Sequence, residues 1–173
     1  MKIFLTGYMG SGKSLISHKL SEELKIPLVD FDDQISMIEG QSISGIFEQR
    51  GEIHFRKLET HVLEDVLNEP SSLIVSLGGG TPCYGINMEL IKSFPETKMI
   101  YLKASVGFLT ERLFLEKDTR PLINHLQNKE DLEDFIRKHL FERGHYYLQS
   151  DIVVNIEGKD PENIVAEILK KLE

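Results

Sequence analysis

Five short apolar runs punctuate the chain: Lys2–Thr6, Pro27–Asp30, Ser72–Leu77, Lys98–Leu102 and Asp151–Asn155. Their apolar positions are mostly consecutive rather than alternating. That pattern predicts strands covered on both faces, as in a parallel sheet. Longer stretches between them repeat apolar residues three and four positions apart. Lys13–Leu24 carries Leu15, Ile16, Leu20 and Leu24 in this way, and Arg56–Leu67 carries Leu58, Val62, Leu63, Val66 and Leu67. Glu130–Leu148 and Pro161–Leu172 follow the same rule. All four predict helices with one buried face. Strands alternating with helices define a doubly wound α/β fold.

Two stretches depart from the alternation. Residues 32–60 contain no strand-like run and are expected to form a helical insertion facing the substrate. Residues 115–126, EKDTRPLINHLQ, are polar and broken by Arg120-Pro121. Such composition suits a mobile loop that closes over a ligand.

Bulk composition narrows the function. The 173 residues suffice for one domain with its own core, and no repeat or low-complexity segment is present. A formal net charge of −8 argues against a general affinity for nucleic acid, whose backbone needs a basic surface. A local cluster of Arg and Lys could still bind a small anion. The single Cys83 excludes an intrachain disulfide. No apolar stretch is long enough to cross a membrane, and MKIFLTGYMG lacks the pattern of a signal peptide. These features lead to the expectation of a cytoplasmic protein without nucleic-acid or membrane partners.

The chemistry starts at GYMGSGKS, residues 7–14, directly after the first apolar run. Gly7, Gly12, Lys13 and Ser14 satisfy the phosphate-loop pattern G-x-x-x-x-G-K-[ST], with a strand before it and a helix after it. Glycines let successive backbone N–H groups turn toward phosphate oxygens, and the helix N-terminus adds partial positive charge. Lys13 is expected to reach the outer phosphates and Ser14 to ligate Mg²⁺. The chain should therefore bind ATP or GTP.

The usual second magnesium ligand, an aspartate at the end of a neighbouring apolar strand, is missing. SLIVSL ends instead in Gly78-Gly79-Gly80. Bare glycines at the C-terminal edge of a buried strand lie where open α/β sheets bind ligands, and they let a ligand approach the main chain. Carboxylates occur in VDFDD, residues 29–33. Asp33 is expected to cap the following helix. Asp30 and Asp32, two apart in an extended segment, should project to one side. One would steady the magnesium shell through water, and the other would orient an acceptor hydroxyl.

GYMGSGKS, VDFDDQI, GEIHFRKLE, SLGGGTP, TRPLI and FERGHYY, in this order and spacing over residues 1–148, resemble shikimate kinase. The resemblance implies a three-layer α/β P-loop kinase fold, similar to that of nucleoside monophosphate kinases. It would have a five-stranded parallel sheet, a helical substrate-binding region at about 32–60 and a lid at about 112–126. It implies transfer of the ATP γ-phosphate to the 3-hydroxyl of shikimate with Mg²⁺, on the route to chorismate and the aromatic amino acids. By position, Asp32 corresponds to the base that holds the shikimate hydroxyls, and Asp30 to the aspartate near magnesium. Arg56 and Arg143 correspond to the arginines on the shikimate carboxylate. Gly78, Gly79 and Gly80 correspond to the backbone beside the hydroxyls. The ATP site corresponds to Gly10, Ser11, Gly12, Lys13, Ser14 and Leu15 with the lid residue Arg120. The catalytic set is Asp32, Lys13 and Arg120.

A planar carboxylate is what a guanidinium fork binds best, which agrees with the assignment. The chain departs from the family pattern at Gly144-His145-Tyr146-Tyr147, where the family usually has Pro and Leu-Tyr, and Tyr147 keeps the family tyrosine. The lid differs from the commoner length by one residue, and Arg112 is taken as the adenine-side arginine. The six histidines lack metal-ligand spacing and are expected at the surface. Two alternatives compete: a kinase for gluconate or a nucleoside monophosphate, and a non-catalytic nucleotide-binding regulator. Phe47 and Phe55 could stack a base, whereas two carboxylates with Arg56 fit a polyhydroxy acid better. A regulator would be expected to have lost Lys13, Ser14 or Asp32. A monomer is expected.

Overall fold

The computed structural model describes all 173 residues. The apolar runs become five parallel strands: β1 (Lys2–Thr6), β2 (Leu28–Asp30), β3 (Leu73–Ser76), β4 (Thr97–Lys103) and β5 (Ile152–Asn155). Their order in the sheet is β2-β3-β1-β4-β5. Seven helices surround them: α1 (Lys13–Leu24), α2 (Phe31–Glu39), α3 (Ile43–Asn68), α4 (Asn87–Ser93), α5 (Val106–Glu116), α6 (Lys129–Tyr147) and α7 (Pro161–Leu172).

Strand pleating divides the core in two. Ile3 and Leu5 of β1 face one side of the sheet with Ile74, Ile100 and Leu102, packed under α1, α5, α6 and α7. Phe4 faces the other side with Val75 and Met99, packed under α2, α3 and α4. Consecutive apolar residues in a strand are needed for this, since each face of the sheet is covered. The central strand β1 pairs with β3 on one side and β4 on the other, with Leu5 opposite both Ser76 and Ile100. The connections leaving β1 and β3 run to opposite faces of the sheet, to α1 and α4, so a crevice opens beyond the C-terminal ends of these two strands.

Residues 31–68 contain helices and no strand. The second helix starts thirteen residues before the expected Arg56, because α3 runs from Ile43 through a kink at Gly51 (φ 77°, ψ 171°). That glycine interrupts the apolar period, which is why the pattern alone reveals only the second half. Beyond the four predicted helices and α2 of the expected insertion, two more, α4 and α5, are present. The start of α5 carries a readable signal, since Ser105 Oγ accepts from the Phe108 amide as an N-cap. Between α5 and α6 the chain makes a 3-10 turn over Lys117–Thr119 and further turns through residue 125.

The acidic segment after β2 differs from expectation. Asp30, not Asp33, caps α2: its Oδ1 accepts from the amides of Asp32 (3.1 Å) and Asp33 (3.3 Å). The helix begins at Phe31, so Asp32 is helical rather than extended, and the two-residue argument for a shared side does not apply. Asp30 and Asp32 reach the same cleft because a strand end and a helix start meet there.

Candidate active site

A cleft of about 490 Å³ opens at the C-terminal edge of the sheet, a size typical of small-molecule sites. Lining it are Gly10, Gly12, Lys13, Ser14 and Leu15 from the loop after β1, and Asp30 and Asp32 after β2. Arg56 comes from α3, Gly78–Gly80 follow β3, and Arg112, Arg120 and Arg143 come from α5, the turn region and α6. Of the residues expected to contact ATP, the acceptor or the metal, Ser11 alone does not line the cleft. Its amide donates to Tyr8 O at 3.1 Å, and its hydroxyl is buried, so it shapes the loop instead of facing the cleft.

The loop wraps as its glycines permit. Gly12 is the left-handed N-cap of α1 (φ 83°), so the helix N-terminus points into the cleft. Arg112 stands across from it, with its guanidinium 3.8 Å from where a Gly12 Cβ would lie. Lys13 Nζ folds back onto the loop carbonyls of Gly7 (2.7 Å) and Tyr8 (3.2 Å). Burial lowers its pKa to about 8, against the pull of Asp32 and Asp30. The ammonium is thus held by weak neutral acceptors that phosphate oxygens can replace.

Asp32 opens onto the cleft, but protein atoms crowd its remaining sides. That burial raises its pKa to about 6, helped by the neighbouring charges of Asp30 and Glu59. A carboxylate with such a value is a competent base near neutral pH. The glycines after β3 make room for it: a Cβ at Gly78 would lie 2.9 Å from Asp32 Oδ1, and one at Gly80 3.2 Å from Arg56 Nη1. Glycine at these positions therefore lets two charged side chains lie directly on the main chain.

Arg56 is held by carboxylates on its edges. Nη1 donates to Glu59 Oε2 at 2.6 Å, and Nε and Nη2 both donate to Glu52 Oε1 at 3.3 Å. Glu59 is fully buried and also accepts from Thr81 Oγ1 at 2.6 Å. Sequence reasoning missed Glu59. A signal existed, since Glu59 is the one acidic residue on the stripe Phe55, Glu59, Val62, Val66 that α3 turns inward. Phe47 and Phe55 pack on each other, with ring centroids 4.5 Å apart and the Arg56 guanidinium nearby, so they line the cation and not a free stacking slot. Arg143 lies beside Tyr147, whose hydroxyl donates to Gly79 O. Arg120 is ion-paired with Glu116.

Two histidines are half-buried and engaged with neighbours rather than free at the surface. His139 Nδ1 shares a hydrogen bond of 2.9 Å with Tyr8 OH, tying the phosphate loop to α6, and burial followed by the nearby Arg143 charge lowers its pKa. His54 Nε2 lies 3.2 Å from Glu39 Oε1. Burial pushes the Cys83 thiol up to about 12, so it is no nucleophile.

No group of three or more His, Cys, Asp or Glu side chains could enclose a metal. The donors present, Ser14 and the carboxylates of Asp30 and Asp32, are hard oxygens. Asp30 spends Oδ1 on capping and keeps Oδ2. That set suits a divalent cation arriving with phosphates and water rather than one in a protein cage.

Comparison with known proteins identifies the family and the fold. The shikimate kinase family model matches residues 9–173. The shikimate kinase of Flavobacterium psychrophilum is 44% identical over 171 residues, covering 99% of this chain and 98% of that protein. The crystal structure of shikimate kinase from Bacteroides thetaiotaomicron superposes with a TM-score of 0.90 at 32% identity, over 99% of this chain and 98% of the other. That of Acinetobacter baumannii, in complex with shikimate, does so with a TM-score of 0.84 at 29% identity, over 99% and 92%.

Proposed function

The chain belongs to the shikimate kinase family, and on that footing we propose that it transfers the γ-phosphoryl group of ATP to the 3-hydroxyl of shikimate, giving shikimate 3-phosphate and ADP for chorismate and aromatic amino acid synthesis. One observation carries the reading. A single cleft holds Lys13 and Ser14 of the phosphate loop together with a basic carboxylate, Asp32, and two arginines, Arg56 and Arg143. A phosphoryl donor, an acceptor hydroxyl and a carboxylate anchor are the three things this reaction needs.

Arg56 and Arg143 grip the shikimate carboxylate, and the main chain of Gly78–Gly80 lies along its hydroxyls. Asp32 accepts the 3-hydroxyl proton as that oxygen bonds to the γ-phosphorus. The bond from phosphorus to the β–γ bridging oxygen breaks, and ADP leaves with the electron pair. Lys13 leaves its loop carbonyls for the phosphates and stabilises their charge. Gly10, Ser11, Gly12, Ser14 and Leu15 form the phosphate loop, Arg112 lies on the adenine side, and Arg120 closes with the lid of residues 112–126. Mg²⁺ bound with the nucleotide spreads phosphate charge, and Ser14, with Asp30 through water, would hold it.

All of these residues come from one chain, so a monomer suffices for the chemistry, and we place it in the cytoplasm, where ATP is supplied. No helix is long and apolar enough to cross a membrane. The test is a coupled assay of ADP release with shikimate, gluconate and AMP at equal concentration. Turnover is expected with shikimate alone. Equal or faster turnover with gluconate or AMP would overturn the assignment.

A further inference from the structure

The ring of Tyr84 lies directly beneath the Arg56 guanidinium, with Cζ 3.6 Å from the ring centroid. Phe55 and Phe47 are farther away, at 5.1 and 6.0 Å. The guanidinium and the tyrosine meet over Gly80: a Cβ there would lie 3.2 Å from Arg56 Nη1 and 3.3 Å from Tyr84 Cε2. The segment that carries the ring is anchored. Tyr84 follows the 3-10 turn Thr81–Cys83, and its carbonyl accepts from the Asn87 amide at 3.3 Å. The buried Asn87 side chain in turn donates to Thr81 O at 2.8 Å and accepts from Thr60 Oγ1 of α3 at 2.8 Å. The turn bearing the ring and the helix bearing the arginine are therefore locked together.

Arg56 has five N–H donors, and three are taken by Glu59 and Glu52. One donor on each of Nη1 and Nη2 is left, the pair that a carboxylate can bridge. The two glutamates set the rotation of the guanidinium within its plane. Neither sets the tilt of that plane, but a ring stacked on its face does, because the cation is drawn to the negative face of the π system.

We propose that Tyr84 is a positioning residue for the acceptor site: its ring face fixes the tilt of Arg56 and so makes the site selective for acceptors bearing a planar carboxylate. The inference rests on the shikimate reading of the cleft. Tyr84 acts through Arg56, on binding of a group whose charge does not change during phosphoryl transfer. Its removal therefore raises the KM for shikimate and leaves kcat and the KM for ATP within about two-fold. A stack of this kind, partly desolvated, corresponds to about a five- to thirty-fold change in KM.

The experiment compares wild type, Tyr84→Phe and Tyr84→Leu on shikimate and on the analogue whose carboxylate is reduced to a hydroxymethyl group. Tyr84→Phe keeps the ring and is expected to retain wild-type KM for shikimate, whereas Tyr84→Leu is expected to show the five- to thirty-fold rise. The analogue should respond to neither. Phenylalanines of increasing ring fluorination at position 84 keep the shape while weakening the negative face, so the proposal can be tested even if the leucine variant does not fold; KM should climb with fluorination. An unchanged KM in Tyr84→Leu, an equal loss on the analogue, or a flat fluorination series each overturns the proposal. If wild type itself prefers gluconate or AMP, the shikimate reading fails and takes the proposal with it, and that result is distinct from a failure at position 84.

Discussion

At the residue scale, the two groups with displaced pKa values make the reaction pH-dependent. Asp32, raised to about 6 by burial and its carboxylate neighbours, must be ionised to take a proton. Lys13, lowered to about 8 by burial, must be charged to meet the phosphates. The pH profile of kcat/KM, which reports the free enzyme, should be bell-shaped with limbs near 6 and 8. A profile flat from pH 5 to 9 would contradict both roles. Asp32→Asn removes the base and should cut kcat sharply while leaving the KM for ATP near normal. It should also stabilise the fold. Between pH about 4 and 6 folded Asp32 keeps a proton that the unfolded chain has released, so stability falls as pH rises through that window and the deficit is full above 6. Asparagine carries no such deficit. The variant should melt above wild type at pH 7.5, with the difference shrinking toward pH 4.5; equal melting temperatures at both would contradict the raised pKa of Asp32.

At the element scale, α3 does two jobs through one kink. Its first half brings Ile43 and Phe47 to the cleft, and its second half brings Arg56 and Glu59. Gly51 sits between them with φ 77° and ψ 171°, a conformation essentially restricted to glycine. A Cβ there would meet nothing within 4 Å, so the constraint comes from the backbone alone. Gly51→Ala should cost about 1–3 kcal/mol, lowering the melting temperature by about 2–4 °C per kcal/mol for a chain of this size. Because the kink aims Arg56, the KM for shikimate should rise with it. An alanine variant with unchanged melting temperature and KM would show that the kink is not set by residue 51.

At the scale of the whole molecule, charge is distributed against the net sign. The chain carries −8 overall, yet Lys13, Arg56, Arg112, Arg120 and Arg143 line one cleft. Both proposed substrates are anions, and a focused positive site within an acidic protein draws them in. Arg120 links this charge to closure. It pairs with Glu116, where both side chains are over a third exposed. Such a pair is worth less than about 1 kcal/mol, so nucleotide phosphates can displace it. Residues 115–126 should exchange amide hydrogens quickly without ligand and slowly with a non-hydrolysable ATP analogue. Arg120→Ala should lower kcat more than it alters the KM for shikimate. Protection that is already complete without nucleotide would argue against a closing lid.

Local patterns carried most of what could be read beforehand. GYMGSGKS is one contiguous stretch whose strand, turn and helix all lie within residues 2–24, so its chemistry is written in sequence order. The strands were legible because a sheet covered on both faces requires unbroken apolar runs. The order of the motifs was enough to suggest the family and its five-stranded parallel fold. The fold alone decided which charged groups touch. Glu59 reaches Thr81, 22 positions away, and Tyr8 reaches His139, 131 positions away. Tyr84 meets Arg56 only because a turn and a helix pack side by side. Asp30, rather than Asp33, caps α2 because the helix starts one residue beyond the strand. Each of these depends on where distant backbone segments come to rest, and a contact between residues far apart in the chain leaves no period in either segment for a sequence to show.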